Sequence, residues 1–152
     1  MAKKADEGAG KKAAKVAKPS KPAKGAAVAG GDANERYNSG LGLLKSIEGP
    51  LRARQLDAAG KKVAAQAETE FKAALEIADN HGRAHIMLGM LLQMSGRPEE
   101  CEPHLRRGME LPRGSQDWHI AAGTLANAYM ELERAADAAN VLEDITSLTA
   151  DD

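Results

Sequence analysis

The chain has 152 residues, enough for one domain or for a small domain behind a tail. Aromatic residues make up 3% and there is one cysteine. That composition disfavours a β-sandwich or barrel and excludes an internal disulfide or a four-thiolate zinc site. The net charge of −1 conceals a split: eight Lys against two acids over residues 1–31, and 13 Lys/Arg against 20 Asp/Glu over residues 32–152, or +6 against −7.

The first stretch is Ala, Lys, Gly and Pro, with Lys3, Lys4, Lys11, Lys12, Lys15, Lys18, Lys21 and Lys24 as its positive charges. It has too little apolar surface to offset its ordering entropy, so residues 1–31 are expected to be a disordered basic tail. It lacks the apolar core of a secretory signal, and no run approaches the roughly 18 apolar residues of a membrane span. A cytoplasmic protein is the simplest expectation. With no aromatic among the lysines, any nucleic-acid contact through the tail is expected to be weak, non-specific and made to phosphate.

Residues 32–152 are expected to form the ordered domain. Asp32 and Glu35 have capping-box spacing, and Ala33 to about Ile47 reads as a helix with Tyr37, Leu41, Leu44 and Ile47 on one face. Gly49-Pro50 stops it. From Leu51 to Asp79 the pattern is helical again, with Val63, Ala67, Phe71, Ala74 and Ala78 on one stripe and Gly60 as the candidate break. Asn80-His81-Gly82 is a turn. Ala84, Leu88, Leu91 and Leu92 carry the next helix to about Met94, and Gly96 with Pro98 marks an end and a start. Cys101, Leu105 and Met109 follow on one helix. After a loop at 112–115, Trp118, Ala122, Leu125, Tyr129 and Leu132 mark another. Ala135, Ala138, Leu142 and Ile145 mark the last.

The helices repeat. Ala67, Phe71 and Ala74 recur as Cys101, Leu105 and Gly108, while Leu88, Gly89 and Leu92 recur at a slightly longer interval as Leu125, Ala126 and Tyr129. Two helices per period of about 34 is a tetratricopeptide spacing, and the chain resembles a tetratricopeptide repeat protein. Units at 82–113 and 119–148 match. A third is partial, with Leu41-Gly42 on its first helix and a much longer stretch from Gly42 to Phe71 than from Gly89 to Leu105. The resemblance implies an all-α array of about three antiparallel hairpins, with Phe71, Leu105 and Leu142 plugging successive hairpins. Glu133 stands where the family has a turn glycine, and His85 where it often has Trp.

No catalytic constellation is visible, so no enzyme, metal or cofactor is expected. His81 and His85 have metal-compatible spacing, but Gly82 makes His81 a turn residue, there is no HExxH, and no carboxylate sits at a telling offset. Cys101 sits where the repeat requires a small residue, so a packed, inert thiol is expected. The resemblance places Leu43, Ile86, Met87, Met90, Gln93, Met94, Thr124, Asn127 and Met130 on a concave, adaptable face suited to an apolar peptide or helix. The competing reading packs the methionines against the helix at 50–79 or a neighbouring hairpin. No helix follows the last hairpin, so Trp118, Val141 and Leu148 are expected to form an uncovered end that docks or makes a homodimer. Together these features imply a non-enzymatic interaction module, whether adaptor, scaffold or small chaperone. The alternative is a nucleic-acid-associated protein anchored by its lysines.

Overall fold

The computed structural model describes residues 32–150; the lysine tail lies outside the described residues. These fold into seven helices: α1 (Ala33–Ser46), α2 (Glu48–Arg52), α3 (Ala58–Ile77), α4 (Gly82–Met94), α5 (Pro98–Gly108), α6 (Gln116–Glu131) and α7 (Ala135–Ala150). None of the described helices is long and apolar enough to cross a membrane.

Local chemistry sets the boundaries. Asp57 Oδ1 accepts from Gly60 N at 2.7 Å, His81 Nδ1 from Ala84 N at 3.1 Å and the Ser115 hydroxyl from Trp118 N at 3.2 Å. Each satisfies an orphan donor in a first turn. Pro98 opens α5, where its missing N–H costs nothing. Three helices end in one pattern. Behind α2, Gln55 N reaches Pro50 O at 2.8 Å; behind α4, Arg97 N reaches Leu92 O at 2.9 Å; behind α6, Arg134 N reaches Tyr129 O at 2.8 Å. Each closure places one residue in the left-handed region: Arg54 (φ 56°), Gly96 (φ 82°) and Glu133 (φ 58°). Only the middle one is glycine.

The helices pack as pairs, α1 with α3, α4 with α5 and α6 with α7; α4 also packs on α3 and α6, and α6 on α5. Phe71, Leu88, Leu105, Leu125 and Tyr129 are fully buried in one core running through all three pairs. Close approach explains the glycines. A Cβ on Gly89 would lie 2.6 Å from Leu105 Cγ, and one on Gly40 would lie 2.7 Å from the Phe71 ring.

Four sequence expectations need correction. The small residue that admits Phe71 is Gly40; a Cβ on Gly42 would meet nothing within 4 Å. The stretch from Gly40 to Phe71 is nearly double that from Gly89 to Leu105. The excess lies on both sides of the turn. Gly40 to Arg54 is twice as long as Gly89 to Gly96, and Arg54 to Phe71 is nearly twice as long as Gly96 to Leu105. Each arm is therefore about two turns longer. Second, the helix expected from Leu51 to Asp79 is interrupted at residues 53–57, because the left-handed Arg54 closes α2 there; Gly60 sits inside the first turn of α3.

Third, Leu142 does not plug the last pair: it is 47% exposed, while Val141 is 6% exposed. Both stripes share Ala138 and Ile145, so the helical period alone does not choose between them. The stripe through Val141 and Leu148 has more to cover. Leu148 approaches the α5–α6 loop at Gly114, and Arg113 of that loop bonds Asp144. Fourth, the expected uncovered end is not uncovered. Trp118 (3% exposed) and Val141 lie within the core, and Leu148 packs against it.

Candidate functional site

The residues expected on a concave face divide into three groups. Ile86 is a core residue, 2% exposed. It covers Gly108 on α5, where an added Cβ would lie 2.4 Å from Ile86 Cγ1. Met87, Met90, Gln93 and Met94 on α4 are half-buried, as is Leu43 on α1. Thr124 on α6 is half-buried and its hydroxyl donates to Ile120 O at 2.8 Å; Asn127 is exposed and Met130 is 59% exposed. Because Gly40 takes the place of Gly89, the counterpart of Met90 on the first pair is Leu41 rather than Leu43. Leu41 is also half-buried.

Met87, Met90 and Met94 all pack partly against the core, and Met94 also faces residues of the 50–79 stretch. With Leu51, Leu56 and Ala64 it lines a cleft between α2, α3 and the α4–α5 turn. Leu51 itself is 1% exposed, so the extra turns of the first pair are packed into the fold. A polar link fixes them. Arg54 donates to Gln93 O at 3.0 Å and pairs with Glu131, and the Gln93 amide donates to the same carboxylate. The α2–α3 turn is thereby tied to the C-terminal ends of α4 and α6. Sequence reading missed this bridge, whose three members lie on different helix pairs and far apart along the chain.

The histidines part company. His81 caps α4 and bonds Asn34 Oδ1 at 3.0 Å, and its ring lies 5.0 Å from that of Tyr37. His85 is buried and turns the other way. Its Nε2 donates to Asp79 O at 2.8 Å, leaving Nδ1 to meet His104 Nδ1 at 3.2 Å. Burial, then the neighbouring His85, hold His104 below its ordinary pKa. Among the described residues no three His, Cys, Asp or Glu side chains converge as metal ligands would. Burial pushes the Cys101 thiol up to about 12, and its Sγ donates to Pro98 O at 3.0 Å. Such a thiol is a weak nucleophile at neutral pH.

Two ion-pair networks brace the pairs. Arg97 bonds Glu68 on α3 and Glu100 on α5. Burial lifts the Glu68 carboxyl, but hydrogen bonds from Arg97 and Lys72 outweigh it and hold the pKa below the usual value. Tyr129 and Arg134 both donate to Glu102, at 2.8 Å each. Comparison with protein-family models, curated proteins and solved structures finds no match to the chain.

Proposed function

We propose that residues 32–152 form a tetratricopeptide-like array that acts as a non-enzymatic protein-interaction module. Its ligand is an apolar helix or extended peptide, held against Leu41, Met87, Met90, Asn127 and Met130. The observation that carries the reading is the state of those methionines. Met87 and Met90 are half-buried beside a well-packed core, and Met130 is 59% exposed on the next first helix. Unbranched thioethers adapt to an apolar partner without rearranging the scaffold. The polar link from Arg54 to Gln93 and Glu131 joins the C-terminal ends of the two helices that carry these methionines.

The test is selection of peptides from a display library on the full chain, followed by Met90→Glu. Binding should be lost while the helical signal and melting temperature hold, because Met90 is not fully buried. Unchanged binding refutes the face. A large fall in melting temperature shows that Met90 belongs to the core. The charge split supports one other reading, a tail that holds the protein on nucleic acid. Salt-sensitive DNA binding that disappears on removal of residues 1–31 is its signature.

A further inference from the structure

The cleft beside Met94 has a chemistry of its own. Its volume is about 340 Å³, within the range of small-molecule sites. Leu51, Leu56, Ala64 and Met94 supply an apolar floor, and the rim carries Arg54, Lys61 and Arg97 against the single acid Glu68. Glu68 is already engaged: it accepts from Arg97 and from Lys72. The nearby Asp57 caps α3 through Gly60 N. Arg54 is committed to Glu131 and Arg97 is shared with Glu100. The Lys61 ammonium, by contrast, has no hydrogen bond or ion pair among the described residues, and neither does the Ser95 hydroxyl, which also lines the cleft. The cleft thus offers one unpaired cation, Lys61, and a hydroxyl beside an apolar floor.

The cleft is also pre-formed. Its outer wall is the α2–α3 turn, whose Arg54 stands in a left-handed conformation that a non-glycine residue seldom adopts. The side chain that glycine would lack ties the wall to α4 and α6. A wall held in place before the ligand arrives spares the ligand the cost of ordering it.

We propose that this cleft binds a small amphipathic carboxylate, its anionic head at Lys61, Arg97 and Ser95 and its hydrocarbon body over Leu51, Leu56, Ala64 and Met94. The head answers the unpaired cation and the body covers the apolar floor. A cationic amphiphile would meet the unpaired Lys61 with like charge, and a short acid would leave the floor wet. The site is separate from the peptide face, although Met94 stands at its edge.

The experiment titrates octanoate into the full chain and follows backbone amide shifts, with octylammonium and acetate as controls and Lys61→Glu as the variant. Octanoate should shift signals of Ala64, Ala65 and residues 94–97 in a saturable way. Octylammonium, acetate and the Lys61→Glu variant should each bind about tenfold more weakly or worse, the loss expected for one charge-assisted contact. Lys61 is exposed, so the variant should keep the wild-type melting temperature; if it does not, Lys61→Gln replaces it and the same loss is required. Met90→Glu should leave octanoate binding unchanged, which separates this site from the peptide face. Equal binding of octylammonium, binding indifferent to Lys61, shifts confined to other surfaces, or no shifts up to the solubility of octanoate would each overturn the proposal.

Discussion

Replacing Gly89 by Ala tests the packing of the central pair. A Cβ there would lie 2.6 Å from both Cγ and Cδ2 of Leu105, which is fully buried. Cγ is a branch point held between helices, so it cannot swing aside. A helix-interior Gly→Ala change ordinarily gains about 1 kcal/mol. Overpacking costs about 1–3 kcal/mol. The net expectation is a loss of about 0–2 kcal/mol. Leu105→Ala alone should cost about 2–5 kcal/mol through the cavity it leaves. In that background the new methyl enters vacated space, and Gly89→Ala should stabilise by about 1 kcal/mol. The same substitution therefore changes sign, with a coupling of about 1–3 kcal/mol between the two sites. Urea unfolding of the four proteins, followed by the helical circular-dichroism signal, measures it. If Gly89→Ala stabilises both backgrounds equally, α4 and α5 do not close on Gly89. The correspondence of Gly40 with Gly89 then loses its basis.

Other expectations follow from single residues. Glu133→Gly should stabilise by about 1 kcal/mol, because Glu133 stands at φ 58° and its carboxylate makes no bond among the described residues; Arg54→Gly should not, because its guanidinium ties three helices, and thermal melts compare the two. Val141→Asp should cost about 2–4 kcal/mol as a buried polar intrusion, while Leu142→Asp should stay within about 0.5 kcal/mol; comparable losses would refute the register of α7. The folded pKa of His104 is lowered, so the folded chain binds fewer protons than the unfolded one. Its contribution is present above the ordinary value of 6.5 and is lost as pH falls below it. His104→Gln should flatten the dependence of melting temperature on pH in that window, and an unchanged slope would count against the lowering of the His104 pKa by burial and by His85.

Helix positions and pairing were legible because apolar residues recur at helical spacing and because proline and glycine mark the turns. The burial of Phe71 and Leu105 on the second helices of the first two pairs was read correctly, although the start of the first of those helices was not. What misled was equivalence between neighbours. Leu41-Gly42 imitates Leu88-Gly89, but the contact belongs to Gly40, and only the distance to the Phe71 ring distinguishes them. The α2 break was hidden because Arg54 adopts a glycine conformation without being glycine. Val141 and Leu142 are both apolar and adjacent, and the choice between them rests on the α5–α6 loop, a long-range partner that periodicity does not encode. The Arg54 bridge and the His85–His104 contact likewise join residues that no local spacing brings together. The cleft follows from the longer first pair, whose length was visible but whose path was not.

The order of packing has a dynamic consequence. Helix α4 lies against α3, α5 and α6, whereas the main partner of α7 is α6 alone. Opening α4 breaks contacts with a helix of every pair, while detaching α7 breaks contacts chiefly with α6. In such near-neighbour assemblies the free energy of local opening falls toward the ends. Amides of α7 should therefore exchange with solvent through partial opening, those of α4 only through global unfolding. Tyr129, bonded to Glu102 and capped by the Arg134 guanidinium, marks the boundary between the two regimes.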